Sequence, residues 1–540
     1  MFKKYFFVVA CLLPVACYFF VAVYYSLNIP ANDDYIAILD SFNRFFSGGA
    51  SRFSILWEQF YGHRIVLYRL VFLLSYFMTG VLDFKCVILL GNLLYIVAVL
   101  VIVYDFRKKE GKQWHIMPLV YAACALHFYI VTICEVLFLY NIAFGVFAMW
   151  FLLRKTLPGV IVAGILAVAS SFNGGNGFMI LLVGLVFLLL QRSPRLWVAG
   201  WLVLVLATIA VLFSGFSFDK IQGHETQVYS MQSITMIFSY LAVVLSSGLF
   251  IDRGAYLLPV GLVISLASLI AIFFLVKNKY YQRNPLLSSF ILFMLASAVC
   301  ITMVRWSLTF YQAAFARYKI FSLLFLGAII VALIDAYRDK VNKIIPVILV
   351  VASCAFWGRS VYYNMEGIEQ YNEFGRLGAM LFHENNSVSK LYYPVESEAR
   401  AILSASATAG IYHYPRLGSM ELSPVARIHI PKRPSRQDVP EVTVLDTGKH
   451  LVFVEGYFRN DMLDQENDSV YLSFAGASGE YSFSAHYFMN YTEERPFIYT
   501  WNALVRRDLI PGGEYSLLLV VSGKSYQNCF ELGKVLYLHE

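Results

Sequence analysis

Thirteen long apolar runs fill the first 358 residues of this 540-residue chain, and they restrict its fold more than any other feature. Hydrophobic residues make up 59% of the sequence and charged residues 14%, whereas soluble proteins average roughly 25% charged residues. Runs of this length are stable in lipid as helices. The sequence therefore predicts a polytopic α-helical membrane protein. The runs lie near residues 5–27, 64–80, 84–106, 115–134, 137–153, 158–171, 177–191, 196–214, 233–250, 255–276, 286–304, 318–335 and 343–358.

The basic loops predict how many runs cross the membrane. The first run, with a basic flank and no small-residue cleavage site, is predicted to be an uncleaved helix with a cytoplasmic N-terminus. If every run crossed, RKKEGK at 107–112 would lie outside, against the bias of Lys and Arg toward the cytoplasm. We therefore predict that 64–80, which carries Arg64 and Arg69, and 233–250 lie in the interface, like the amphipathic segments around Phe42 and Phe53. About eleven spans remain, with the short basic loops inside.

This topology collects the chemically active residues at the periplasmic side, beginning with Asp33 and Asp34 directly after the first span. Adjacent carboxylates raise each other's pKa, which suits a catalytic general base or a ligand of a divalent cation. A helix cap with a solvated neighbour is the alternative interpretation. A cap would use only one of the two acids, so we take both as candidate catalytic residues.

Cationic residues lie at the same predicted level. His63 and Arg64 follow the first outer segment, and Arg317 and Tyr318 begin a later span, with Arg305 ending the span before it. Arginine forms a planar fork that matches phosphate oxygens, so His63, Arg64, Arg317 and Tyr318 are candidate ligands of a lipid phosphate. The alternative is that these side chains extend to the headgroups without binding a specific ligand.

Two further features occupy the outer ends of spans. Glu135, in TICEVLFLYN, is an acid among apolar residues and therefore a third candidate catalytic residue, with a helix cap as the alternative. SSFNGGNG at 170–177 is most simply a tight turn, because Gly and Asn tolerate positive φ. Its backbone amides could also contact a ligand.

The eight cysteines have neither a disulfide framework nor zinc-ligand spacing, since all but Cys529 fall in or beside apolar runs. The net charge of +7 reflects basic cytoplasmic loops and does not indicate a nucleic-acid partner.

The composition changes after the last apolar run. From Glu441 to the end, short β-rich runs alternate with turn residues, which predicts a periplasmic β-sandwich-like domain at 441–540. We predict a mixed α/β connector at 359–440 and a transmembrane domain with the candidate catalytic residues at 1–358. The aromatic residues of the β domain are predicted to be core residues, with sugar binding left open; they are Tyr457, Tyr471, Tyr481 and Trp501.

The order of these motifs resembles bacterial GT-C glycosyltransferases. It includes an acidic pair after the first helix, GHRI with interfacial helices, an acid near a later outer end, SFNGGNG and a late ARY. The layout is similar to that of the lipid A aminoarabinose transferase, and the motifs are nearer to the O-antigen-modifying glucosyltransferases. The likeness covers roughly residues 1–420. Where the family often has Asn-Glu-His-Arg this chain has FYGHR, so Glu58 receives no role.

The resemblance implies a GT-C-like fold in the bacterial inner membrane and a polyprenyl-phosphate-linked sugar donor used on the periplasmic side. It matches Asp33 and Asp34 to the catalytic acidic motif, Glu135 to the second acidic position, and His63 with Arg64 to the donor-phosphate position. The acceptor would be a surface glycan or lipopolysaccharide. Other classes stay open: a non-catalytic scaffold, a polysaccharide polymerase or ligase, and a transporter. A transporter would need polar or broken helices in mid-membrane.

Overall fold

The structure is a computed structural model in which the chain forms two units. The first contains Met1–Gly375 and Tyr392–Tyr414, and the second contains Arg376–Leu391 and Pro415–Glu540. The residues that the structure describes are 2–49, 51–110, 113–127, 137–217, 231–249, 257–307, 313–338, 344–385, 395–415, 441–447, 451–459, 469–477, 479–492, 495–506, 509–522 and 527–538.

Helices form nearly all of the first unit. The α-helices are α1 (Phe2–Tyr25), α2 (Ser41–Ser47), α3 (Arg52–Trp57), α4 (Val66–Thr79), α5 (Phe84–Glu110), α6 (Met117–Ala123), α7 (Leu137–Leu152), α8 (Leu157–Ser171), α9 (Met179–Leu190), α10 (Arg195–Phe213), α11 (Met231–Ser246), α12 (Leu257–Lys277), α13 (Tyr280–Arg283), α14 (Pro285–Arg305), α15 (Ala316–Ala336), α16 (Ile344–Asn385) and α17 (Glu396–Thr408). A π-helix (Tyr35–Asp40) precedes α2, and a hairpin of β1 (Gln59–Phe60) and β2 (His63–Arg64) follows α3.

Among the described residues, seven helices are long and apolar enough to cross a membrane, which confirms a helical membrane protein. The count of eleven spans stays a prediction, because five other apolar helices have only 10–17 residues. One of them, α4, has 14 residues. It would extend about 21 Å, less than the roughly 30 Å hydrocarbon core of a bilayer. The seven are Phe7–Tyr25, Phe84–Lys108, Arg195–Phe213, Leu257–Lys277, Pro285–Arg305, Arg317–Ala336 and Ile344–His383.

The run at 115–134 is not one continuous helix, because α6 ends at Ala123 and residues 125–127 are non-helical although buried. Side chains of α16 bond to the main chain there. Trp357 Nε1 donates to the Cys124 carbonyl (3.2 Å), and the Leu126 N–H donates to Ser360 Oγ (3.2 Å). Buried main-chain groups need such partners when a helix ends inside a protein.

Helices α14 and α15 carry charged groups at both ends. At one end, the buried Asp335 accepts from Tyr280 (3.0 Å) and pairs with Arg283 (3.1 Å). Arg305 and Arg317 lie at the other end of the same two helices. Each helix has 21 residues, so the two groups of charges are about 30 Å apart along the helix axes.

Helix α16 has 42 residues and is about 63 Å long, roughly twice the thickness of the hydrocarbon core. It is continuous across residue 358, where the sequence predicts a domain boundary, and the division between the units falls within it, after Gly375. In the first unit, the second half of α16 bonds to the end of α1. Tyr25 Oη donates to Glu369, and Asn372 donates to the Tyr25 carbonyl.

The second unit contains a sheet of antiparallel strands, which confirms the β-rich C-terminal region. The described strands are β3 (Glu441–Thr447), β4 (Leu451–Arg459), β5 (Ser469–Gly476), β6 (Gly479–Thr492), β7 (Arg495–Arg506), β8 (Gly513–Ser522) and β9 (Gln527–Leu538), in the order β3-β4-β7-β6-β5-β8-β9. The first half of β6 pairs with β5 and its second half with β7. Residues from both sides of β6 share one apolar core.

Of the four aromatic residues predicted to be core residues, Trp501 and Tyr481 lie in or against the core. Trp501 is fully buried in the core, and Tyr481 packs against that core. Tyr471 is half-buried, and the side chain of Tyr457 lies outside the described residues.

Candidate active site

The two adjacent aspartates have different surroundings. The loop after α1 turns at Asn32, whose φ of 48° is in the left-handed region, and the buried Asp34 closes this turn. Asp34 Oδ2 accepts from the Ala31 N–H (3.1 Å), and Oδ1 accepts from Tyr68 Oη of α4 (3.5 Å). Asp34 therefore fixes the loop that presents its neighbour.

Asp33 is the aspartate that water can reach. Although its side chain is exposed, many protein atoms surround it, and this desolvation raises the pKa of its carboxyl. The positive charges of Arg317 and Arg305 act on the same carboxyl and oppose the rise. Asp33 is therefore an accessible carboxylate within electrostatic range of two cations.

The hairpin of β1 and β2 carries His63. Gln59 holds this hairpin to the segment after α10. The Gln59 side-chain amide donates to the Ser217 carbonyl and accepts from the Ser217 N–H, both at 2.8 Å. Tyr61, at the tip, has a φ of 46°, a conformation that costs a non-glycine residue about 1–3 kcal/mol. Burial, then the negative charges of Asp33 and Glu398, raise the pKa of its phenol. The hairpin tip therefore lies within electrostatic range of Asp33.

Arg64, the neighbour of His63 on β2, is buried and anchors the main chain. Its Nε donates to the Leu212 carbonyl (3.0 Å), and its terminal nitrogens donate to the carbonyls of Trp57 and Ser214. Its guanidinium also covers the Trp57 ring at 4.7 Å. The structure thus brings Arg64 to the ends of α3 and α10, where it joins them to the hairpin.

Arg69, in the first turn of α4, acts in the same way. It is buried and donates to main-chain carbonyls of the π-helix and of α3, including Ala37 at 3.2 Å and Ile55 at 2.9 Å. Both buried arginines therefore bond their charged groups to main-chain carbonyls of the protein.

The SSFNGGNG segment forms a tight turn that supports the hairpin. The Gly174 N–H donates to the Arg64 carbonyl (3.0 Å), and Gly174 has a φ of 114°. Asn141 of α7 donates to Asn176 Oδ1 (3.0 Å), and Asn176 donates to Ser297 of α14 (3.2 Å). The turn therefore connects three helices to the strand that carries His63.

We expect Gly177→Ala to destabilise the protein by about 3 kcal/mol, since overpacking a rigid site costs roughly that much. A Cβ at Gly177 would lie 1.8 Å from the Ser170 carbonyl oxygen, whereas one at Gly175 would meet nothing within 4 Å. Gly175→Ala is therefore the matched control and should change stability little. Unfolding of both purified variants in detergent measures the difference, and equal stability would show that the turn is not rigid.

Four groups from separate elements come together at this end of the helices. Arg305, at the end of α14, and Arg317, at the start of α15, act electrostatically on both Asp33 and His63. The same two arginines and Tyr318 act on the hydroxyl of Tyr240 in α11. These residues are far apart in sequence, and the ends of the helices place them together.

His63 is uncharged in this site at neutral pH. Burial, then the positive charges of Arg305 and Arg317, lower the pKa of its imidazole to about 4 from its ordinary 6.5. A neutral imidazole can accept or donate a hydrogen bond, and a bound anion would raise its pKa again.

This lowered pKa predicts how stability depends on pH. Because the unfolded chain protonates His63 near pH 6.5 and the folded protein only near pH 4, the free energy of unfolding should fall as pH decreases between these values. His63→Gln removes this term, so the variant should lose less stability than the wild type across that interval. Denaturant titrations at several pH values measure it, and parallel losses in the two proteins would contradict the assignment.

The sequence analysis does not predict three residues near the site, which are Tyr61, Tyr240 and Glu398. Tyr61 could have been found from the two-residue turn in FYGH, whereas Tyr240 is one phenol in an apolar run. Glu398 lies in α17, where Asn43 donates to the Ile402 carbonyl (3.1 Å) and Ser406 donates to Asn43 (2.9 Å). Residues beyond the last apolar run thus help to form the site.

Two further predictions concern Glu135 and a metal ion. Glu135 lies outside the described residues. Within the described part of the chain, no group of three or more His, Cys, Asp or Glu side chains could hold a metal ion. Asp33 and Asp34 do not form a chelating pair there, because the oxygens of Asp34 are bonded within its own loop.

Taken together, these features define a polytopic helical membrane protein with a charged cluster at one end of its helices. Comparisons with protein-family models, with characterised proteins and with solved structures find no match to this chain. The arguments about its function therefore rest on the residues of the cluster.

Proposed function

We propose that this protein is a glycosyltransferase of the bacterial inner membrane. It transfers a monosaccharide from a polyprenyl-phosphate donor to a periplasmic surface glycan or lipopolysaccharide, with inversion at the anomeric carbon. The observation that carries the proposal is that the Asp33 carboxylate lies within the electrostatic range of Arg305 and Arg317, and the same two arginines act on His63. A base beside two cations suits a reaction that deprotonates a hydroxyl and releases a phosphate.

Asp33 acts as the general base of this reaction. Its carboxylate accepts the proton of an acceptor hydroxyl, and that oxygen forms a bond to the anomeric carbon. A raised pKa supports this role, because it makes the carboxylate a stronger base. Asp34 positions Asp33 through the bonded loop, and it does not contact the substrates.

The departing phosphate takes the electron pair of the broken carbon–oxygen bond. Arg317 and Arg305 stabilise its negative charge, with Tyr318 and His63 beside them. Arg64 contributes by holding the hairpin that carries His63.

The proposed architecture is GT-C-like, with about eleven spans and with the charged cluster and the C-terminal sheet in the periplasm. The sequence at the opposite ends of α14 and α15 supports this orientation, because 277–283 and 338–343 contain six Lys and Arg residues, whereas 305–319, at the cluster end, contains three. Basic residues near span ends favour the cytoplasmic side.

The proposal is tested by mass analysis of surface glycans from otherwise identical bacteria with and without this protein. We expect one glycan to lose the mass of one monosaccharide when the protein is absent. Restoring the wild-type gene product should restore that mass. Identical glycans in both strains would contradict the proposal and favour a scaffold or a transporter.

A further inference from the structure

The hydroxyl of Tyr240 is buried without a hydrogen-bond partner in the described part of the chain. Tyr240 is 0% exposed, and its Oη has no bonded neighbour there. Burying a hydroxyl in this way costs about 1–3 kcal/mol. Most buried phenols of the first unit avoid that cost: Tyr95, for example, donates to the Ala123 carbonyl at 2.9 Å. A buried hydroxyl that lacks a hydrogen-bond partner requires an explanation, and a ligand that donates or accepts at this position is one.

The surroundings of this hydroxyl are positively charged. Arg305 and Arg317 both act on it, although they belong to different helices. Arg305 forms no ion pair with any described carboxylate at 4.0 Å or less. The carboxylate of Asp33 lies within electrostatic range of both guanidinium groups, and its single negative charge offsets only one of their two positive charges.

The helices fix this arrangement. Helix α11 is followed by a short 3-10 turn (Ser247–Leu249), where the Gly248 N–H donates to Ser322 of α15 (3.1 Å) and Ser322 donates back to the Leu245 carbonyl (2.8 Å). Arg317 and Tyr318 lie in the first turn of α15, at the positive end of its helix dipole. Each component therefore favours negative charge at the same place.

We infer that Tyr240, Arg305 and Arg317 form a binding subsite for the phosphate group of a lipid phosphate, in which the Tyr240 hydroxyl donates to a phosphate oxygen. A phosphate fits this set better than a carboxylate does, because its tetrahedral oxygens can accept from three separated donors. The inference deepens the proposed function and rests on it, since the donor there is a lipid phosphate. It adds Tyr240 to the residues that contact the donor.

The test measures binding of farnesyl phosphate to the purified full-length protein in detergent, with farnesol and inorganic phosphate as comparison ligands. Tyr240→Phe should weaken farnesyl phosphate binding about 10- to 100-fold, the usual effect of losing a hydrogen bond to a charged group. Binding of farnesol should not change. Equal affinity of the wild type and Tyr240→Phe for farnesyl phosphate would overturn the inference.

Stability without ligand provides a second measurement. Tyr240→Phe removes a hydroxyl that has no partner, so its unfolding temperature should equal or exceed that of the wild type. Tyr95→Phe is the matched control: it removes a bonded hydroxyl, so it should lower the unfolding temperature and leave phosphate affinity unchanged. A comparable loss of stability in Tyr240→Phe would assign its hydroxyl a structural role and overturn the inference.

The remaining outcomes separate this subsite from the proposed function. If inorganic phosphate bound as tightly as farnesyl phosphate, the site would belong to free phosphate and the lipid source would be wrong. Weaker farnesyl phosphate binding by Tyr240→Phe, in a wild-type protein that transfers no sugar, would support the subsite and contradict the transferase. If the wild type transferred sugar but Tyr240→Phe bound farnesyl phosphate with unchanged affinity, the result would support the transferase and contradict the subsite.

Discussion

Asp33→Asn should reduce sugar transfer by roughly 10² to 10⁴-fold, the usual loss when a positioned general base is removed. Asparagine has nearly the same shape as aspartate, but its amide cannot accept the proton of an acceptor hydroxyl. Because the Asp33 side chain is exposed, the exchange should leave insertion and stability unchanged. Transfer of labelled sugar from a polyprenyl-phosphate donor, in membranes that contain equal amounts of protein, measures the loss.

Two other aspartates of the same segment provide the controls. Asp40 forms an exposed pair with Arg44 (3.1 Å), and exposed pairs contribute little stability, so Asp40→Asn should transfer sugar normally. Asp34→Asn changes a buried group that closes the loop and should lower the unfolding temperature. Normal transfer by Asp33→Asn would remove the proposed base.

Arg317→Met should lower transfer by about 10²-fold or more, because one preorganised charge that stabilises a leaving group commonly contributes that much. Methionine retains much of the aliphatic side chain, so packing at the start of α15 should largely persist. The affinity for the donor should fall along with the turnover number. Steady-state kinetics with varied donor concentration distinguish these two effects.

The matched control for this variant is Arg338→Met, at the opposite end of the same helix. Arg338 is 3.9 Å from Asp335 and about 30 Å from Arg317 along the axis. Its loss should leave both kinetic parameters unchanged. A similar decrease in both variants would mean that the effect comes from damage to α15 rather than from the anion site.

The apolar pattern predicts most helices of the first unit, because lipid requires long apolar segments whatever their neighbours are. It fails at 115–134, where hydrophobicity continues past Ala123 but the helix does not. The main chain leaves the helix there because Trp357 and Ser360, more than 200 residues away, supply hydrogen-bond partners. A local pattern cannot contain that information.

The candidate site was predicted in part for a similar reason. The sequence predicts that the adjacent residues His63 and Arg64 act together, yet neighbouring side chains on a strand point to opposite sides. His63 is within range of the arginine cluster, while Arg64 donates to main-chain carbonyls. The turn at Asn32 separates Asp33 from Asp34 in the same way. The sequence locates the segment, and backbone geometry decides which member of each pair lies within range of Arg305 and Arg317.

The hydrogen bonds of the segment after α1, from Asn28 to Asn43, have a consequence for biosynthesis. Tyr412 donates to the Asn28 carbonyl across 384 residues, and Ser406 donates to Asn43 across 363. At roughly 5–20 residues per second, a ribosome needs about 20–80 s to make the chain between these partners. The membrane helices can enter the bilayer during that time. The loop that carries Asp33 then still lacks its hydrogen bonds to Ser406 and Tyr412. We therefore expect a nascent chain stalled before residue 400 to be inserted in the membrane but to lack the proposed transferase activity.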